Sequence, residues 1–502
     1  MLHLNRPDRQ KIIVIGAGIG GLTAAALLAH RGYEVLVLDQ AIVPGGCAST
    51  FKRKGFTFDV GATQVAGLEP GGIHHRIFSE LEIDLPEATP CDPACAVYLP
   101  GETSPISVWR DPEQWQAERQ RQFPGSELFW QLLANLFRYS WAFQSRDPVL
   151  PPRDLWDLWQ LVQAVRPDTL LTAPYTLSTV GQALRLMGLG DDRRLKTFLD
   201  LQLKLYSQVN ADETALLYAA TALGVSQEPQ GLYHLHGSMQ ALSDRLVAAL
   251  ERDGGKLLMR HTVERIHMEA NRASAVEIRS QKTGEVWTET ADHVVANVTV
   301  QNLVQLLGDR VPKGYQQRVD KLPPASGAFV IYLGVKQEAI PADCPPHLQF
   351  LYDYNGPIAE NNSLFVSVSR PGDGRAPEGY ATLIASSFTD TNAWWNDESY
   401  APLKQQYTET AIDRLSQFFH LTPDSIVHTE AATPRTFAHY TGRDRGVVGG
   451  IGQRIPTFGP FGFANRTPVP HLWLVGDSTH PGEGTAGVSY SALTVVRQIE
   501  AS

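Results

Sequence analysis

Residues 12–40 read IIVIGAGIGGLTAAALLAHRGYEVLVLDQ, and the first eighteen of them are uncharged and mostly apolar. A run of that length and character is long enough to cross a bilayer. Its interior points elsewhere. Gly16, Gly18 and Gly21 spell G-x-G-x-x-G directly after a strand-like run, 12–15, and before a helix-like run, 22–31. A second strand-like run, 33–38, follows and ends on Asp39. Each part has a task in a βαβ unit that holds a dinucleotide. Gly16 permits the tight turn, Gly18 lets backbone approach a pyrophosphate, and Gly21 lets the helix pack closely on the strand. The helix N-terminus presents its free N–H groups to the phosphate charge. Asp39, eighteen residues beyond Gly21, accepts hydrogen bonds from a ribose diol and repels a 2′-phosphate. Three glycines alone are a weak signal. Strand, helix, second strand and acid in that order make a nucleotide cradle the better reading than a membrane span or a buried glycine-rich helix.

The rest of the composition bounds the class. The 502 residues suggest two or three domains with ample core. A hydrophobic fraction of 43% and a charged fraction of 19% fit a globular protein slightly poor in charge. A net charge of −10, with no stripe of lysine and arginine, argues against a nucleic-acid partner. The opening MLHLNRPDRQK lacks the apolar core and cleavage site of a signal peptide. With residues 12–40 read as βαβ, no other apolar run is long enough to span a bilayer. The expectation is a cytoplasmic chain, soluble or resting on one membrane face. Four cysteines make no disulfide framework in a chain of this size. Cys91 and Cys95, in CDPAC, have no matching pair nearby, and His74–His75 and His234 with His236 read as packing or surface residues; no metal site is expected.

Texture alternates along the chain. Residues 12–110 are rich in glycine and strand-like runs, and 111–230 read as helical from the apolar periodicity of LFWQLLANLFRYSWAF and DLWDLWQLVQAVRPDTLL. Strand-like texture returns from Gly231, and 325–440 holds several strand runs with one helix near 400–419. The arrangement implies two interleaved domains: 1–110, 231–324 and 441–502 for the nucleotide, and 111–230 with 325–440 for the substrate.

Three further signals belong to the nucleotide site. Gly45–Gly46, just past Asp39, let backbone amides approach a second part of an extended dinucleotide. GFTFDVGAT reads either as a strand and its turn or as a segment that brings Gly61, Ala62 and Thr63 against a flat aromatic ring. At the far end of the chain, a buried strand runs into Gly476–Asp477, and a long helix starts near Gly487. An acid there can hold a polyol chain, and the helix N-terminus stabilises negative charge on a reduced ring. An NAD site would not need this second element, so FAD is the expected cofactor.

These residues, with GSMQALSDRL, VVANV and APEGY, resemble the FAD-dependent phytoene-desaturase and carotenoid-isomerase branch of the flavin amine-oxidase-like superfamily over nearly the whole chain. The resemblance implies an α/β fold in which a Rossmann-like FAD-binding domain is interleaved with an α+β substrate domain. VGATQVAGLEPGGIHHRIF and CDPACAVYLPGE are most similar to the bacterial C-3′,4′ carotenoid desaturases. By that resemblance Asp39 holds the adenosine ribose, and Gly18 with Gly45–Gly46 lines the pyrophosphate. Val263 meets adenine through its backbone, Asp477 binds the ribityl chain, and Gly487–Val488 faces the flavin O2 edge. Many relatives carry a basic residue after the paired glycines where this chain has Cys47. The FAD is expected to be tightly but not covalently held.

The implied activity is desaturation of an acyclic or monocyclic carotenoid by hydride loss to the flavin, with a quinone or oxygen as electron acceptor. Such a reaction depends on orientation, water exclusion and electrostatic support. No catalytic set stands out; an Asp, Glu or Tyr within 325–440 is the expected proton acceptor. Alternatives are a carotene cis–trans isomerase using reduced FAD, a flavin amine oxidase, and a non-catalytic flavoprotein or carotenoid carrier. The substrate is long and apolar and must leave a bilayer. Trp109, Trp115, Trp130, Trp141, Trp156 and Trp159, with Phe129 and Phe137, can form a membrane-dipping face, although their reading as core residues ranks ahead.

Overall fold

The computed structural model describes residues 9–502. Strand Lys11–Ile15 pairs in parallel with Glu34–Asp39 on one side and His293–Ala296 on the other. Lys256–Met259 and Leu472–Leu474 complete an all-parallel sheet of five strands. Side chains alternate across the central strand. Ile12 and Val14 join the core beneath helices Ile19–His30, Gln240–Arg252 and Thr485–Glu500. Ile13 and Ile15 face the opposite way, onto helix Val300–Leu307 and an antiparallel three-stranded sheet, His261–Glu269, Arg272–Ser280 and Val286–Thr290. A strand covered on both faces is apolar along its length.

The first helix is also enclosed: every residue from Ile19 to Ala29 is buried and His30 is exposed. A helix buried all round has no polar face, which accounts for the uncharged run in the opening stretch. No helix among the described residues is long and apolar enough to cross a membrane.

A second sheet has seven strands in the order Ile426–Ala432, Gly327–Lys336, Tyr380–Thr389, Ser363–Val368, His347–Leu351, Cys95–Tyr98 and Ile106–Val108. Phe329, Ile331, Leu333 and Val335 pack with Ala411 and Leu415 of helix Asp397–Ser416, while Val330 and Tyr332 turn to Phe56 and Phe58 on the other side. The helix starts and stops earlier than the sequence pattern suggests. Asn396 caps it by accepting from the amides of Glu398 and Ser399, and past Ser416 the chain turns Phe418 onto Tyr98, with ring centroids 5.1 Å apart. Strand Cys95–Tyr98 pairs in parallel with His347–Leu351. Two strands of the expected 1–110 segment therefore belong to the second sheet, a pairing that short apolar runs do not reveal by themselves. Helices between residues 112 and 224 form a third layer around Trp115, Trp130, Phe129 and Phe198.

Candidate functional site

One cavity of about 1160 Å³ runs from the glycine turns of the parallel sheet to the helical layer. Among its lining residues are Gly16, Gly18, Asp39, Gly45, Gly46, Gly61, Ala62, Thr63, Val263, Gly476, Asp477, Gly487 and Val488. Segments from both ends and the middle of the chain thus meet around a single space. Gly21 alone among the expected positions does not line it. A Cβ at Gly21 would lie 2.0 Å from the Gly16 carbonyl oxygen, so this glycine sets how closely the helix approaches the turn.

The turn itself leaves no room for side chains. Gly16 has φ +94°, and a Cβ there would lie 2.6 Å from the Asn297 carbonyl oxygen. A Cβ on Gly18 would lie 2.8 Å from Asn297 Nδ2. The amide of Gly45 donates to the Ala17 carbonyl at 2.8 Å, tying the second glycine turn to the first. The two oxygens of Asp39 accept from Ala17 N at 2.6 Å and Ala41 N at 2.7 Å. Burial raises this carboxyl above the usual range, and the two amides oppose the shift. Ala62 N donates to the Cys47 carbonyl at 3.1 Å, which seats the 61–63 loop beside the paired glycines.

Two helix N-termini open onto the same space. Helices Ile19–His30 and Thr485–Glu500 begin at Gly18 and Gly484, with no side-chain cap and no acid in the first turn. Their first N–H groups have no intrahelical partner. The helices also touch, through Thr23 and Ser489 hydroxyls 3.3 Å apart. Two uncapped N-termini, main-chain glycine turns and an acid at a strand end suit an extended ligand with a pyrophosphate in its middle and, at one end, a ring that becomes anionic on reduction. FAD has that form.

Other residues of the site escape the sequence. Asn297, in VVANV, donates to the Gly16 carbonyl at 3.3 Å. Arg443 meets Asp477 at 2.7 Å and also donates to the Gly449 carbonyl. Its charge lowers the Cys47 thiol against the larger effect of burial, which raises it. A cation therefore stands near the position after the paired glycines, supplied by a distant segment. Glu483 lines the cavity beside Gln208, and Lys204 donates to the Gln208 carbonyl at 2.8 Å. Arg443 carries no local motif of its own, and nothing short of the folded chain brings it to Asp477; Glu483 follows Asp477 by six residues, and only the fold brings Gln208 to it.

The lining supplied by the helical layer and the second sheet is rich in apolar side chains, Trp141, Phe143, Leu161, Val165, Leu170, Phe365 and Phe388 among them, with Thr169, Gln349, Ser363 and Ser386 interspersed. Of the Asp, Glu and Tyr residues in 325–440, only Tyr440 reaches the lining among the described residues, and it is 46% exposed. The tryptophan cluster divides: Trp115 and Trp130 are core residues, Trp141 faces the cavity, and Trp159 is 57% exposed. His480 is not aimed freely at the cradle; its Nε2 meets Gln144 Oε1 at 2.9 Å.

Comparison with known proteins agrees with this geometry. Residues 19–499 match the family described as flavin-containing amine oxidoreductase. The chain is 28% identical to the chloroplastic prolycopene isomerase of Daucus carota, covering 99% of this chain and 81% of that one. It is 27% identical to the zeta-carotene-forming phytoene desaturase of Myxococcus xanthus, covering 98% of this chain and 94% of the other. The fold is similar to that of cyclohexylamine oxidase from Brevibacterium oxydans, with a TM-score of 0.62 and 17% identity over 98% of this chain and 100% of the other. The chain belongs to the flavin-containing amine oxidoreductase family and is an FAD-dependent oxidoreductase.

Proposed function

We propose that the chain desaturates an acyclic or monocyclic carotenoid at C-3′,4′. The observation that carries this reading is the continuity of the main-chain cradle with an apolar chamber in one cavity. A long hydrocarbon fits such walls, and few polar groups there would lose hydration. The names of the prolycopene isomerase and phytoene desaturase relatives point to the same class of compound.

In this reading Asp39 holds the adenosine ribose, Val263 meets adenine, and Gly18 with Gly45 and Gly46 lines the pyrophosphate. Asp477, oriented by Arg443, takes the ribityl chain, and the 61–63 loop lies along the ring. The amides at Gly487 and Val488 support negative charge at the flavin O2 edge. Bound FAD supplies an acceptor for a hydride. The chamber orients the polyene and excludes water, which protects the delocalised cation left behind. A quinone or oxygen takes the electrons afterwards. The chain acts at a membrane surface, from which its substrate enters.

The test is expression in cells that accumulate acyclic or monocyclic carotenoids, with mass spectrometry of the pigment. Loss of two hydrogens is expected. An unchanged mass with altered geometry would replace this reading with isomerisation on reduced FAD, which the full-length similarity to prolycopene isomerases favours as the second reading. Amine oxidation ranks third. The segment 446–459 supplies one aromatic, Phe458, which meets Tyr218 edge-on at 5.4 Å rather than as parallel walls.

A further inference from the structure

We infer that Glu483 is the proton acceptor of the reaction, taking the proton from the polyene carbon next to the one that gives up hydride. The inference rests on the desaturase reading above.

Four acids line the cavity among the described residues: Asp39, Glu264, Asp477 and Glu483. Asp39 is held by two main-chain amides. Asp477 is paired with Arg443. Glu264 sits at an exposed strand position and pairs with Arg279 at 2.5 Å. Glu483 differs from all three. Its Oε2 accepts from Gln208 Nε2 at 2.8 Å and from Gly450 N at 3.4 Å. Its Oε1 is buried and has no hydrogen-bond partner. A buried carboxyl oxygen without a partner is costly, and the residue that carries it lines the cavity.

The surroundings make room for this carboxyl. A Cβ at Gly449 would fall 2.4 Å from Glu483 Oε2 and 2.3 Å from Gln208 Nε2. Glu483 lies six residues past Asp477 and just ahead of helix Thr485–Glu500, so it stands between the ribityl-side acid and the uncapped helix end. The charged and titratable groups around it are Asp477, Arg443, Lys204 and Tyr218. Burial pushes its carboxyl up to about 8; Asp477 adds to the rise, and Gln208, Gly450 and Arg443 oppose it. An acid tuned towards the working pH suits proton transfer.

The step balances. One C–H bond leaves with its electron pair as hydride to the flavin. The neighbouring C–H gives its proton to the Glu483 carboxylate, and that electron pair becomes the new C=C bond. Hydride would give the flavin one negative charge and leave the polyene one positive charge; loss of the proton to Glu483 neutralises both polyene and carboxylate, so the net charge of the site is unchanged. A quinone or oxygen later takes the two electrons, and the proton passes to solvent.

The experiment uses holoenzyme with FAD bound. The flavin absorbance of the oxidised protein is followed from pH 6 to 10, and flavin bleaching by an acyclic carotenoid is timed under anaerobic single turnover. Wild type is expected to show a spectral transition near pH 8, and bleaching is expected to speed up with pH through the same range. In Glu483→Gln the transition disappears and bleaching slows by about 100-fold or more; Glu483→Asp restores part of both. A wild-type rate that is flat with pH overturns the inference, as does a flavin-loaded Glu483→Gln that bleaches normally or keeps the transition. Should wild type bleach with no carotenoid at all, the desaturase reading itself falls, and the inference with it.

Discussion

At the cradle end the cavity wall is main chain, whereas at the chamber end it is side chains. Gly16, Gly18, Gly45 and Gly46 leave room where a Cβ would meet Asn297, Ser49 or neighbouring backbone. The chamber end is closed by Trp141, Leu161, Val165 and Phe365, among others. A main-chain wall tolerates one residue type at each position and therefore marks the sequence. A side-chain wall asks only for apolar residues of about the right total volume, which many sequences supply. The cradle end is thus written locally, and the chamber end is a property of the assembled chain.

Outside the cavity lining, a buried ionic knot ties Arg375 to Asp59 and to the segment 234–235, and cutting it is the harshest perturbation of the frame that holds both walls. Arg375 is 2% exposed. It meets Asp59 at 3.0 Å and donates to the Leu235 carbonyl at 2.7 Å, with His234 Nε2 at 2.9 Å. Asp59 in turn accepts from Met239 N at 2.8 Å, ahead of helix Gln240–Arg252. Arg375→Leu leaves Asp59 buried without its cation, and a loss of about 3–5 kcal/mol is expected in urea unfolding. Adding Asp59→Asn should recover part of it, since the stranded charge is what costs most. A loss below about 1 kcal/mol would mean that the pair contributes no more than an exposed ion pair.

Gly21→Val tests the cradle alone. Its side chain cannot fit 2.0 Å from the Gly16 carbonyl oxygen, so the helix must shift away from the turn. A cost of about 1–3 kcal/mol is expected, as for overpacked cores, together with a colourless purified protein. Leu161→Met in the chamber should cost less than about 1.5 kcal/mol and leave flavin content unchanged. Equal loss of flavin in both variants would erase the distinction between the two walls.

The same distinction explains what the amino-acid order discloses. Gly16, Gly18, Asp39 and Gly45 are legible because spacing ties each to a turn, a strand end or a helix start. Asp477 is legible as the acid closing a buried strand, yet its partner Arg443 is not, because the pairing joins loops 34 residues apart. Glu483 follows Asp477 by six residues, but its meaning depends on Gln208, which comes from a different layer. Strands Cys95–Tyr98 and Ile106–Val108 show the same limit at the level of the fold. Apolar alternation announces a strand, and only tertiary pairing decides which sheet receives it.

The gentlest perturbation concerns the chamber's outer face. Helix Leu155–Ala164 turns Leu161 to the cavity and buries Ala164. Its opposite face presents Leu155 at 85% exposure, Trp159 at 57% and Val162 at 53%, at the spacing of successive helical turns. Leu170, on the following short helix, is 63% exposed and also borders the cavity. A large exposed apolar patch marks a surface that binds something, and the net charge of −10 gives anionic lipid no electrostatic pull. Leu155→Gln with Trp159→Gln should therefore change stability by no more than about 0.5 kcal/mol each. Flotation with neutral phosphatidylcholine vesicles should nevertheless fall by about tenfold or more, because each side chain loses about 1.5–3 kcal/mol of transfer to lipid. Bleaching by carotenoid delivered in vesicles should slow in parallel, while bleaching by carotenoid dispersed in detergent should not. Unchanged flotation would separate this face from substrate entry and leave the chamber to be filled from solution.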